Sequence, residues 1–163
     1  MKKQIVSLFL ENKCAFEESV GITCPMSWPV EKDILPDLAL LLKADQSLIG
    51  WLLWFIIHKV DRCFIGDVGF KGKPDKDGMI EIGYSIIPEY RKMGLGFESV
   101  QTLIRFGFSV PEVKIITANT DSQNLFSIKI LRKMNMYCYD SEIEEGKEIL
   151  KWKLTKEDFL ENE

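Results

Sequence analysis

Residues 79–120 constrain the fold most, because they join two strand-like segments through a loop and a helix. Met79 to Ile87 reads as a strand and ends at Pro88; Val113 to Thr120 reads as another. Between them a helix follows Gly96, with Val100, Leu103, Ile104 and Gly107 on one face, and Pro111 enforces its end. A strand–helix–strand unit of this kind predicts a locally parallel or splayed pair of strands.

The flanking chain completes the pattern. Ile5, Leu8 and Phe9 have helical spacing, as do Ile34, Leu35, Leu38, Leu41 and Leu42. The second of these helices is expected to begin near Asp33, because Pro36 is tolerated only in a first turn. Thr23 to Pro29, with Trp28 among them, reads as an irregular connection. Trp51 to Lys59 is continuously apolar, as in a strand buried on both faces. Asp61-Arg62 offers a turn, Cys63 to Phe70 a second strand, and Gly72 to Gly78 a polar turn, so that with 79–87 an antiparallel meander is expected. Downstream, Asn124 to Met134 is a helix on Leu125, Ile128 and Leu131. Tyr137 to Ser141 and Ile149 to Leu154 suggest a hairpin with Glu142 to Lys147 as its charged loop. The class is α+β. At 163 residues the chain fits one domain, with 1–50 helical, 51–154 carrying the sheet and 155–163 an acidic, solvated tail.

Charge and cysteines narrow the chemistry. The net charge of −4 argues against duplex nucleic acid as the main partner. Cys14, Cys24, Cys63 and Cys138 show no CxxC spacing and His58 is the single histidine, so no metal is expected and the thiols are expected to be reduced and structural. His58, at the end of a strand and with no partner in sequence, is expected to be structural. The start Met1-Lys2-Lys3 imitates a signal peptide, but its apolar stretch is interrupted at Ser7 and stops at Glu11; Leu48 to Ile57 is half a membrane span. A cytoplasmic enzyme or binding module, monomeric or homodimeric and without a membrane partner, is the expectation.

The chemistry-bearing stretch is Arg91-Lys92-Met93-Gly94-Leu95-Gly96. A strand running into a glycine-containing loop that opens a helix presents backbone N–H groups and the positive end of the helix dipole, an arrangement suited to phosphate. Arg91 and Lys92 add charge. No Gly-Lys-Ser/Thr follows, and Ser99 stands where a third glycine of GxGxxG would be.

With its flanks, Glu81 to Tyr90, Ile116 to Asp121, then Asn124, Ser127 and Leu131-Arg132-Lys133, this stretch resembles the GNAT family of N-acetyltransferases, whose acetyl-CoA loop has the form Arg/Gln-x-x-Gly-x-Gly/Ala. The flavour is that of the Rim-type and small-molecule branch. The resemblance covers 63–154 and implies a mixed sheet with splayed fourth and fifth strands. It implies acetyl-CoA as co-substrate and an amine acceptor. The backbone of Ile86 and Ile87 would pair with pantetheine, and Arg91, Lys92, Met93, Gly94, Leu95, Gly96 and Phe97 would hold the pyrophosphate. Asn119 and Asn124 would touch the cofactor, and the Ser127 hydroxyl would lie near thioester or phosphates; read from the residues alone, Asn124 is a helix N-cap.

Acetyl transfer needs a neutral amine, a polarised carbonyl and a protonated thiolate. Glu81 is the candidate base, with an exposed strand carboxylate as its plainer reading. The family's tyrosine acid is missing between Asn124 and Met134, so Tyr84 and Ser127 are candidates, with Tyr137 and Tyr139 as further possibilities. Asn135-Met136 replaces the usual Gly-Phe, and asparagine also accepts a left-handed backbone. Trp28, Trp51 and Trp54 are expected to be core more than acceptor lining. A non-catalytic acyl-CoA-binding or sensing module of the same fold is the alternative.

Overall fold

The computed structural model describes residues 12–28 and 34–161. The helical reading of Ile5 to Phe9 and the helix start at Asp33 lie outside the described residues. The elements run α1 (Lys13–Val20), α2 (Ile34–Ala44), β1 (Leu53–His58), β2 (Cys63–Phe70), β3 (Met79–Ile86), α3 (Leu95–Ser109), β4 (Ile115–Asp121), α4 (Leu125–Lys133), β5 (Tyr137–Glu144), β6 (Lys147–Thr155) and α5 (Lys156–Glu161), with single 3₁₀ turns at Gln46–Leu48 and Pro88–Tyr90. The strands form a mixed sheet in the order β1-β2-β3-β4-β6-β5. The chain divides into two compact units: one holds the residues up to Gly69 with Tyr84–Leu95, the other Phe70–Gly83 with the residues from Gly96 onward.

In the first unit, α1 is capped by Asn12, whose side chain accepts from the Ala15 amide at 3.0 Å, and ends at left-handed Gly21. Its Phe16 enters a core with Cys24, Trp28, Cys63, Phe64, Ile65 and Ile87. Trp28 stacks on Phe64 at 4.8 Å, ring centre to centre. β1 pairs antiparallel with β2. It was expected to be buried on both faces, yet Trp54 and Ile57 are 45% and 41% exposed, because β1 is an edge strand. Of the three tryptophans, only Trp28 is fully core; Trp54 lies at the surface and donates its indole N–H to the Gly50 carbonyl.

In the second unit, β3 pairs parallel with β4 over four positions, from Met79–Ile115 to Ile82–Ala118, as the strand–helix–strand pattern required. The register stops there, while β3 runs on to Ile86 and β4 to Asp121. β4 pairs antiparallel with β6 along seven positions. Helix α3 buries Val100, Leu103, Ile104 and Phe108. A Cβ on Gly107 would come within 3.0 Å of Ile116 Cδ1 and 3.2 Å of the Phe70 ring, so this helix lies close on its sheet because position 107 has no side chain.

Several details differ from the sequence reading. The hairpin is longer than expected: β5 and β6 reach Glu144 and Lys147, and only Glu145-Gly146 turns, with φ of 49° and 80°. Left-handed residues at both central positions make the two-residue hairpin turn that suits strand twist. Leu125 is 71% exposed and not part of the helix's buried face, which is carried by Ile128 and Leu131. The acidic tail is helical through Glu161: Thr155 and Asp158 cap it reciprocally, and Phe159 packs on Phe108 at 5.1 Å. The left-handed Asn135 is observed, at φ 60°. All four cysteines are free, with Cys24 and Cys63 buried but Cys14 and Cys138 exposed, so the structural reading holds for the first two alone.

Gly66 tests the β2–β3 contact. A Cβ there would fall inside 3.0 Å of the Ser85 carbonyl oxygen, and backbone cannot move aside as a side chain can. Gly66→Ala is expected to cost about 2–3 kcal/mol and to lower Tm by roughly 5–10 °C. Gly83→Ala, with nothing within 4 Å, should leave Tm within about 2 °C in the same thermal melt.

Candidate active site

The candidate residues fall into two groups. The first begins where β3 ends. Ile86 is the last residue of the strand and Ile87 is fully buried, its amide donating to the Ile65 carbonyl at 2.9 Å. Pro88 lacks an amide hydrogen, so the ladder stops and the chain turns through Pro88–Tyr90. Arg91 then reaches back, its Nε donating to the Ile86 carbonyl at 2.8 Å. That bond joins two candidate residues and commits part of the guanidinium to the backbone. Tyr84, which lies on the same strand, is half-buried.

From Arg91 to Gly94 every residue is exposed. Lys92 is left-handed at φ 64° and Gly94 at φ 84°, and nothing lies within 4 Å of where a Gly94 side chain would begin. The loop therefore curls over open space on its glycine side, a shape that accommodates a bulky anion. Helix α3 starts at Leu95, two residues earlier than the sequence suggested, so Gly96 and Phe97 belong to its first turn. Helical geometry gives the amides of a first turn no intrahelical acceptor, and the dipole there is positive. These features fit the pyrophosphate of a CoA ester.

The second group surrounds β4. Phe97 carries a cation on its ring, with Lys133 Nζ 3.9 Å from the centroid; sequence reading did not single out Lys133, whose approach depends on how α3 and α4 pack. Asn119 is exposed on β4. Asn124 is the N-cap of α4, its side-chain oxygen accepting from the Ser127 amide at 3.1 Å. The plainer reading of Asn124 is thus realised, and its amide nitrogen remains as the donor for a ligand. Ser127 sits in the first turn of α4, half-buried.

Glu81 lies between buried Ile80 and Ile82 and opposite Thr117 on β4. Lys71 Nζ stands 2.5 Å from its Oε1, an ion pair without well-aligned hydrogen-bond angles. The lysine was missed because only the β2–β3 register, in which the Lys71 amide donates to the Glu81 carbonyl, brings it alongside.

One cluster lies outside these candidates. Tyr90 donates its hydroxyl to Asp61 Oδ2 at 2.6 Å, the Cys63 sulfur lies 3.2 Å from the same hydroxyl, and His58 Nδ1 is 2.8 Å from Asp61 Oδ2. The Tyr90 phenol is held well above its ordinary range, first by the bond to Asp61 and then by Cys63. His58 is therefore placed against a carboxylate and an aromatic ring, Tyr90, at 5.1 Å. In the neighbouring core, burial and then Glu17 push the Cys24 thiol up to about 11.

Comparison with known proteins agrees with this geometry. Residues 26–137 match the family model described as an acetyltransferase (GNAT) domain. The uncharacterized N-acetyltransferase YjdG of Bacillus subtilis is 34% identical over 119 residues, 72% of this chain and 71% of its own length. The uncharacterized N-acetyltransferase YoaA of the same organism is 33% identical over about half of each chain (50% and 46%). Among solved structures, ribosomal-protein-S5-alanine acetyltransferase of Vibrio fischeri superposes with a TM-score of 0.68 at 16% identity, covering 95% of this chain and 87% of that one. The acetyltransferase yncA of Salmonella typhimurium, solved with acetyl-CoA, gives 0.62 at 16% identity over 75% and 73%. At such identities these structures speak for the fold.

The capping role of Asn124 can be measured without ligand. Asn124→Ala should lower Tm by roughly 2–4 °C, about 1 kcal/mol, whereas Asn124→Asp, which retains the cap, should recover most of it. Circular-dichroism melts of the three proteins decide this.

Proposed function

The chain belongs to the GNAT family of acetyltransferases, and from that premise we propose that it moves an acetyl group from acetyl-CoA to a primary amine by direct attack in a ternary complex. The acceptor is read as a small molecule or a protein N-terminus, and 1–163 as one acetyltransferase domain acting in the cytoplasm. The observation that carries this reading is the loop 91–97, in which two left-handed residues lead over open space into the first turn of α3.

Acetyl-CoA supplies the activated thioester; the chain supplies positions. The amides at the start of α3, with Arg91 and Lys92 just before them in sequence, offset the charge of the phosphates. The edge of β3 beyond Ile82 leaves the parallel register with β4, and the pantetheine amides would pair there with the backbone of Ile86 and Ile87, whose carbonyls each keep a second lone pair beside the bonds they accept from Arg91 and Tyr90, the Ile87 N–H being held by Ile65. Backbone amides of this kind also stabilise the oxyanion that develops at the attacked carbonyl. Asn119 and the Asn124 amide nitrogen extend the cofactor contacts along the second group. Glu81 accepts the amine proton, and Tyr84 or Ser127 returns one to the departing thiolate.

The acceptor classes follow the fold's known users. One structural neighbour is named a ribosomal-protein-S5-alanine acetyltransferase, and the Vibrio cholerae spermidine/spermine N-acetyltransferase SpeG is another of this fold. The Rim-type reading itself rests on the sequence resemblance.

Thiol release from acetyl-CoA, measured with polyamines, amino acids and N-terminal peptides, tests the reading. Turnover with one of them is expected. Acetyl-CoA binding without thiol release from any of them would favour a sensing module instead. Glu81→Gln should lower turnover about 10²-fold or more while leaving acetyl-CoA affinity within a factor of two. Unchanged turnover would remove Glu81 as the base. Gly94→Ala imposes a side chain on a left-handed residue, a cost of about 1.4 kcal/mol, and should weaken acetyl-CoA binding about tenfold in calorimetry.

A further inference from the structure

The loop 91–94 is exposed along its whole length and contains a lysine at φ 64°. A non-glycine residue in that region is disfavoured by about 1–2 kcal/mol and persists only where its surroundings over-determine the backbone. Exposed residues contribute little packing, so the two ends of the loop carry a share of that constraint. One end is helix α3. The other is Tyr90, the last half-buried residue before the chain leaves the body of its unit.

Tyr90 is held at four points. Its amide donates to the Ile87 carbonyl at 3.1 Å, its ring packs beside His58, its oxygen lies 3.2 Å from Cys63 Sγ, and its hydroxyl donates to Asp61 Oδ2 at 2.6 Å. Since the phenolic proton goes to the carboxylate, the thiol is the donor to the phenolic oxygen. Asp61 belongs to the turn between β1 and β2, and that turn is anchored in its own right. Arg62, the next residue, donates from Nη2 and Nε to the Gly21 carbonyl at 2.9 and 3.2 Å, and its own carbonyl accepts from the Thr23 amide at 2.9 Å. The Tyr90–Asp61 bond thus ties the root of the loop to a turn fixed on the end of α1. An anionic acceptor makes it the strongest class of hydrogen bond available to a phenol.

We propose that Tyr90 and Asp61 are positioning residues for acetyl-CoA: their hydrogen bond holds the Pro88–Tyr90 turn so that Arg91 and Lys92 enter the loop already in the conformation that receives the phosphates. The inference rests on the reading of 91–97 as the cofactor loop. The lone histidine belongs to the same turn, since His58 Nδ1 accepts from the Asp61 amide at 3.3 Å. A loop preorganised in this way binds tightly because little ordering remains to be done when the ligand arrives.

Isothermal titration of the full chain with acetyl-CoA and with CoA tests this. Tyr90→Phe keeps the ring and removes the bond; its dissociation constant for both ligands is expected to rise roughly 5–20-fold, with Tm falling by less than about 4 °C. Asp61→Ala should match it, and the double variant should be little worse than either, because both remove one interaction. Asp61→Asn retains a carbonyl oxygen for the phenol and should restore affinity to within about threefold of the parent; a role confined to stability or to charge would not produce that rescue. If Tyr90→Phe proves too unstable to titrate, the Asp61→Ala and Asp61→Asn pair carries the comparison. Parent-like affinity in Tyr90→Phe or Asp61→Ala, or failure of Asp61→Asn to rescue, overturns the proposal. If the parent chain itself does not bind acetyl-CoA or CoA, the cofactor-loop reading fails, and this proposal with it.

Discussion

The end of β3 at Pro88 is the constraint on which the candidate site depends. Up to Ile87 the backbone is held by its neighbours: Ile87 is fully buried and its amide completes the last bond to β2. Proline cannot make the next one. From there the chain has no ladder to follow; two local backbone bonds, Tyr90 to Ile87 and Arg91 to Pro88, close the turn, and two side chains reach back, Tyr90 to Asp61 and Arg91 to Ile86. The turn into the exposed loop therefore begins at a missing N–H, and two residues that follow it, Tyr90 and Arg91, tie it back.

Much of this was legible in the sequence because it depends on local rules. Prolines at 88 and 111 bracket the loop and helix whatever surrounds them, and Asn124 and Asn135 took the N-cap and left-handed positions that their short polar side chains favour. The parallel β3–β4 pair followed from connection length alone. What failed depends on tertiary position. The apolar run of β1 looks like a central strand, but the edge of the sheet leaves Trp54 and Ile57 half in solvent. Strand β5 has every residue exposed, so no alternation marks it, and its charges disguised it as a loop. The dipeptide Glu145-Gly146 was the available signal, since glycine in a two-residue turn is a hairpin mark.

The same division holds within the site. The backbone part, a glycine loop entering a helix, is encoded in consecutive residues and could be read directly. The side-chain part is encoded in register. Glu81 meets Lys71 because β2 and β3 pair with 71 opposite 81, and Tyr90 meets Asp61 across 29 positions of chain. No spacing rule connects such pairs until the hairpins are aligned.

Net charge sharpens the point. A chain at −4 repels a polyanion at long range, and at physiological ionic strength that repulsion is screened beyond about 8 Å. Affinity for a pyrophosphate must then come from groups within one screening length, already aimed. Arg91 illustrates the cost of aiming: its Nε is given to the Ile86 carbonyl, which anchors the guanidinium by one of its five N–H groups. Lys133 is placed by a different means, the face of the Phe97 ring. In both cases part of the cation's bonding capacity goes into holding its position. That exchange is favourable only where ordering the side chain at the moment of binding would cost more than the contact given up.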